Sequence, residues 1–278
     1  MNRTLTVALA GTAAAALVLP LGPLGAANAT GKSGSKGGSA HAVGLAGGDT
    51  LVAFSLRHPS KPQASREVSG LQGDTSLVGI DFRVQDRKLY AVGDRGGVYT
   101  LSGGARATKV SQLTVALTGT RFGVDFNPAA DRLRVVSDTG QNLRHDVNPG
   151  GATIADGGLT YPPATTPATG ISAAAYTNND LDPDTATTLF DLDTATDQVA
   201  VQAPANAGSL SATGKLGVDA GSDAGFDISG AGNTGWATLS VGGRHGLYRV
   251  SLLTGDVDRV GSFPRSLPVS DVAVPIGR

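Results

Sequence analysis

Three aspartates recur at one position of a repeated hexapeptide: Asp81 in Leu77-Val-Gly-Ile-Asp-Phe82, Asp125 in Arg121-Phe-Gly-Val-Asp-Phe126, and Asp227 in Asp223-Ala-Gly-Phe-Asp-Ile228. Carboxylates at equivalent points of a repeat converge where the repeats meet, and a ring of them would bind a cation or a polyhydroxy ligand. The same residues have a structural use, because an Asp after Gly and an apolar residue can accept backbone N–H bonds from the turn of a neighbouring repeat. Bracing carries more weight than binding. Two weaker copies, Ile171–Tyr176 and Val269–Val274, have Ala175 and Ala273 at this position and leave any ring lopsided.

A second acidic set, Asp180, Asp182 and Asp184, alternates like a calcium loop, and counting Asp180 as position one puts Asp191 at position twelve. Thr185 stands where that loop wants glycine, Pro183 stiffens it, and no helical pattern flanks it. An EF-hand proper is therefore excluded, and a solvated Asp/Pro turn is preferred to a looser Ca²⁺ site. Ser137-Asp138-Thr139-Gly140 carries the Asp-Thr-Gly of aspartic proteases, where two such loops share a proton, but the chain has one copy. It aligns with Asp94-Arg95-Gly96, a hairpin turn. The histidines at 41, 58, 145 and 245 are too scattered in sequence to propose a metal site, and no Gly-x-Ser-x-Gly or His-Glu-x-x-His is present.

The elements that must position these residues are strands. Of 278 residues 40 are Gly and 14 Pro, with no Cys, and the acids are 22 Asp against the single Glu67. This is turn and strand vocabulary, which excludes a helical bundle. A hydrophobic content of 40% excludes wholesale disorder, and a net charge of −1 leaves no footprint for nucleic acid or an anionic membrane. Residues 1–29 read as an export signal: Arg3 is the basic start, Leu5 to Leu19 the apolar run, and Ala27-Asn28-Ala29 the small-x-small cleavage pattern. The apolar run is short for a membrane span and no later stretch approaches one, so the mature chain is expected to be secreted, extracellular, monomeric and without a membrane span. Residues 30–48 are expected to be a flexible Gly/Ser-rich linker and 49–278 a single, mildly acidic domain.

The hexapeptide copies begin at Leu77, Arg121, Ile171, Asp223 and Val269, which is every 44 to 52 residues. Each complete copy is followed by three further short strands separated by Gly/Asp turns, for example Lys88–Val92, Val98–Leu101 and Ala107–Val110. Four strands per repeat is the pattern of a β-propeller blade. The last copy has only its first strand, while Ala42–Leu45, Leu51–Leu56 and Arg66–Ser69 supply the three that are missing. The predicted architecture is all-β, a propeller of five four-stranded blades whose ring closes by pairing the C-terminal strand with the N-terminal blade; a sixth blade requires strands within Asp156–Ile171.

The segments Gly79-Ile-Asp-Phe82 with Leu89-Tyr-Ala-Val92, Gly123-Val-Asp-Phe-Asn-Pro-Ala-Ala-Asp-Arg-Leu-Arg-Val-Val-Ser137, and Tyr176-Thr-Asn-Asn179 with Thr188-Leu-Phe-Asp191 resemble the DUF4394 family of secreted bacterial propeller-like proteins. The resemblance spans about Asp49 to Pro275 and implies the fold. It implies no activity and carries no catalytic residues across.

The function that fits is non-catalytic binding or scaffolding outside the cytoplasmic membrane. The rival class is an extracellular hydrolase or lactonase using Asp81, Asp125 or Asp227 at the mouth of the propeller channel. General acid–base work at neutral pH usually recruits His or Glu, and their scarcity favours the first. A glycosidase would need two facing carboxylates, both of them Asp. No cofactor is required by any motif, with Ca²⁺ the ion that the acidic sets would suit.

Overall fold

The structure is a computed structural model that describes residues 41–182, 184–230 and 232–276. The expected signal, its cleavage site, the Thr30–Ala40 stretch and Pro183 lie outside the described residues.

Every copy of the hexapeptide folds as a strand, and each is the first strand of a four-stranded antiparallel sheet. The chain opens with β1 (His41–Ala46), β2 (Thr50–Ser55) and β3 (Ala64–Glu67). The second blade follows as β4 (Leu77–Phe82), β5 (Leu89–Gly93), β6 (Gly97–Leu101) and β7 (Ala107–Gln112). The third is β8 (Phe122–Asn127), β9 (Arg132–Ser137), β10 (Asn142–His145) and β11 (Thr153–Ala155). The fourth is β12 (Ile171–Tyr176), β13 (Leu189–Asp193), β14 (Gln198–Gln202) and β15 (Leu210–Lys215). The fifth is β16 (Ala220–Ser229), β17 (Thr234–Val241), β18 (Arg244–Val250) and β19 (Val257–Ser262). Finally β20 (Val269–Ala273) pairs with β1, Gly44 opposite Val272 and Leu45 opposite Asp271, and completes the first blade.

The first strands contact one another in the cycle β20, β4, β8, β12, β16 and back to β20, so five blades close a ring. Residues 156–170 hold no strand, only an isolated bridge from Thr160 to Ser209, and no sixth blade forms. The domain starts earlier than Asp49: His41–Ala46 is already a strand, so the end of the expected linker belongs to the first blade. Burial explains why. Ala42 and Ala46 pack in one cluster with Phe54 and Val272, and Leu45 on the other face in a cluster with Leu51, Leu77 and Ile80, which a linker would not do.

Glycine at the third position of the hexapeptide sets how closely the axial strands approach. A Cβ on Gly123 would lie 2.5 Å from the Ala174 nitrogen, and one on Gly225 2.3 Å from the Asp271 Cα. Neither position tolerates a side chain without moving the neighbouring blade. Between blades the sheets pack through separate apolar clusters, such as Tyr90, Val124, Phe126 and Leu133 between the second and third. Asp138 belongs to this framework. It accepts the Thr120 amide at 2.9 Å and the Thr120 hydroxyl at 2.7 Å, as Asp94 accepts those of Thr75 at 2.8 and 2.6 Å. Gly140 and Gly96 take φ of 83° and 81° in the two equivalent turns. The Asp-Thr-Gly segment is thus a hairpin anchor.

Candidate functional site

The close approach of the axial strands brings the repeated aspartates together. Asp81, Asp125 and Asp227 each offer a carboxylate oxygen, and these oxygens lie within 4.8 Å of one another. The side chains are sealed from solvent, the residues being 4%, 1% and 1% exposed. Each also braces the next blade. Asp81 Oδ2 accepts the Phe126 amide at 2.8 Å, Asp125 Oδ1 the Tyr176 amide at 3.1 Å, and Asp227 Oδ2 the Val274 amide. Asp271 replaces glycine at the third position of the closing strand and accepts the Ile80 amide at 2.8 Å, so the first blade is tied to the second by an acid from a different register.

Burial dominates the electrostatics here. Desolvation, then the Asp227 charge, pushes the Asp81 carboxyl well above the usual range, and desolvation followed by the charges of Asp81 and Asp227 does the same to Asp125. Burial raises Asp227 to about 6 and Asp271 to about 8, although amide donors pull in the other direction. Among the described residues no Lys, Arg or His forms an ion pair with any of the three clustered acids.

The second acidic set is not gathered. Asp180, Asp182 and Asp184 are exposed in the β12–β13 loop, where the Asp182 amide donates to Asp180 and the Asp184 amide to Asp182, an ordinary chain of Asx turns. Asp191 lies on β13 opposite Ala174 and Ala200, fully buried, with its carboxyl pushed up by desolvation. Among the described residues Asp81, Asp125 and Asp227 are the one set of three or more His, Asp or Glu so juxtaposed.

One mouth of the channel holds residues that the sequence reading did not select. A depression of about 350 Å³ is lined by Arg121, Asp223, His245 and Asp271 together with apolar residues such as Leu45, Leu77 and Phe122, from four blades in all. His245 Nε2 lies 2.7 Å from Asp223 Oδ2, and Arg121 Nε lies 3.9 Å from Asp223 Oδ1. The hydrogen bond with His245 holds the Asp223 carboxyl below its ordinary range. A register shift between Ala220 and Ala224 places Asp223 in the irregular start of β16, near the start of β18.

The family model described as a domain of unknown function, DUF4394, matches residues 50–273. The chain belongs to the DUF4394 family. None of the curated proteins matches this DUF4394 chain. Among solved structures it is similar to TolB from Acinetobacter baumannii, with 12% identity over 80% of this chain and 52% of that one and a TM-score of 0.45. It is similar to a chain of the nidogen/laminin complex, with 11% identity, 86% of each chain covered and a TM-score of 0.46. A Bacteroides thetaiotaomicron protein of unknown function gives 14% identity over 84% of this chain and 64% of that one, with a TM-score of 0.47. The DUF4394 chain spans about half the length of the TolB chain it matches. None of its described helical segments is long and apolar enough to cross a membrane.

Proposed function

We propose that this DUF4394 protein is an exported, non-catalytic binding or scaffolding protein that works outside the cytoplasmic membrane and presents the Arg121–Asp223–His245 mouth to a polar partner. One observation carries the reading: each repeated aspartate is buried and holds a backbone amide of the next blade, so none of the three faces a substrate. Arg121, Asp223 and His245 at the mouth have polar groups paired with one another and suited to hydrogen-bonded recognition. Export is supported by the Arg3, Leu5–Leu19 and Ala27-Asn28-Ala29 pattern. The Asp223–His245 pair also gives the hydrolase or lactonase reading a better location than the buried acids, since an Asp-oriented imidazole beside a depression is a general base in outline.

The test has two arms. The intact mass of protein recovered from the culture medium should correspond to a chain starting at Thr30, and a retained Met1 opposes export. Purified protein should turn over no p-nitrophenyl esters, lactones or glycosides beyond the buffer rate; turnover abolished by Asp223→Asn or His245→Ala would establish the enzyme instead.

A further inference from the structure

We propose that the propeller axis holds a divalent cation of the calcium type on Asp81, Asp125 and Asp227. The proposal is independent of the mouth and of whatever binds there. Bracing explains one oxygen of each carboxylate, because one amide from the next blade needs one acceptor. It gives no role to the second oxygen of Asp125 or Asp227. Asp125 Oδ2 is buried with no hydrogen-bond partner, and Asp227 Oδ1 is buried with at most the amide of the adjacent Ile228 beside it, on residues that are 1% exposed. Buried polar atoms are rarely left unmatched, and buried carboxylates are ordinarily paired or coordinate a metal. No basic side chain among the described residues forms an ion pair with the three, so the protein itself supplies no cation to match their charge.

The geometry suits a hard ion. Ligands on opposite sides of calcium, each about 2.4 Å away, are about 4.8 Å apart. The three clustered oxygens fall inside that spread. All donors are oxygen, which excludes a preference for soft metals. A sugar or other polyhydroxy ligand would need an open path to the cluster, and these residues are sealed from solvent. The brace amides fix each carboxylate's orientation, so the unused oxygens are held in place before an ion arrives. Asp81, both of whose oxygens accept amides, retains lone pairs for a shared contact.

The mature chain, stripped with chelator and exchanged into buffer at neutral pH, should melt about 5–10 °C higher in CaCl₂ at a hundredfold excess over its Kd. Asp125→Asn and Asp227→Asn preserve an acceptor for the brace and should remove that shift, while the loop variant Asp182→Asn should keep it. Elemental analysis of wild type after equilibrium dialysis against calcium should give about one ion per chain, which keeps the question decidable even if an axial variant fails to fold. No melting shift with Ca²⁺, Mg²⁺ or Mn²⁺, a dialysed content near zero, or a shift that survives Asp125→Asn would each overturn the proposal.

Discussion

The junction between the second and third blades and the junction between the fourth and fifth do the same geometric work with different chemistry. At the first, Asp81 reaches across to the Phe126 amide, Arg83 donates through Nε to Asp131 at 2.7 Å, and His145 at the outer side lies 2.8 Å from Ser111. At the second, the axial position is Ala175, and Ala173, Leu192, Phe226, Ile228 and Leu239 fill the space in one apolar cluster. Both junctions bring their axial strands into direct contact. The close approach therefore depends on small residues at the third hexapeptide position and not on the acid at the fifth. The aspartates are a separable feature laid over a ring that closes without them at one of its five seams.

The most damaging way to test this is to remove a strand that both chemistries depend on. Truncation after Pro268 deletes β20, takes Asp271, Val269 and Val272 out of the structure, and bares the edge of β1. Loss of a single cooperative melt and association on size-exclusion chromatography are expected. A truncated chain that stays monomeric with an unchanged melt would show that the ring does not need its latch.

A paired substitution then separates the seams. Phe226→Ala opens a void in the apolar seam and should lower stability by about 3–5 kcal/mol in chemical denaturation. Asp81→Asn, which leaves the shape and one acceptor in the braced seam, should lower it by about 1–2 kcal/mol. Equal costs would contradict the reading that the axial acid is an addition to seams held together by packing.

The smallest effect is the part of the pH slope that His145 adds, against the opposite part that the raised Asp227 and Asp271 carboxyls contribute at the axis. Burial holds the His145 imidazole below its ordinary pKa, with Asp146 pulling the other way and Arg132 reinforcing the shift. Ser111 and Thr153 occupy its two nitrogens. Below about 6.5 the unfolded chain binds a proton that the folded chain does not, so stability is lost as pH falls from 7 toward the depressed folded value. The slope contributed by one proton cannot exceed about 1.4 kcal/mol per pH unit. Denaturation curves at several pH values should show the stability advantage of wild type over His145→Gln shrinking as pH falls across this range, while its advantage over Phe226→Ala stays constant.

Much of the ring was legible because its repeat is written in residues with local jobs. Gly79, Gly123 and Gly225 mark where strands nearly touch, and an incomplete copy at Val269 needs the three strands found near the start of the chain. The brace was legible for the same reason: an acid two residues after such a glycine meets an amide of the next blade. Asp191 was misplaced by counting along a loop numbering, since Leu189–Asp193 pairs as a strand and strand alternation, not loop position, decides where its carboxyl goes. Asp223 and His245 stayed hidden because their meeting depends on a register shift that no spacing rule encodes. Asp271 escaped because it occupies the glycine position of its copy, two residues from the place where the other acids stand.

The first blade is built from strands at opposite ends of the described chain, with the Ser270 hydroxyl donating to the Leu45 carbonyl across 225 positions. That arrangement sets a sequence of events. The second to fifth blades are contiguous in the chain and can form as local meanders, while β1, β2 and β3 lack their axial partner until the segment at Val269–Ala273 reaches them. Such a long-range pairing bears the largest loop-closure entropy in the molecule and should come last and slowest in folding. The same strand is the place from which the folded ring would begin to peel under mechanical load, so one short segment governs both how late the molecule becomes whole and how readily it comes apart.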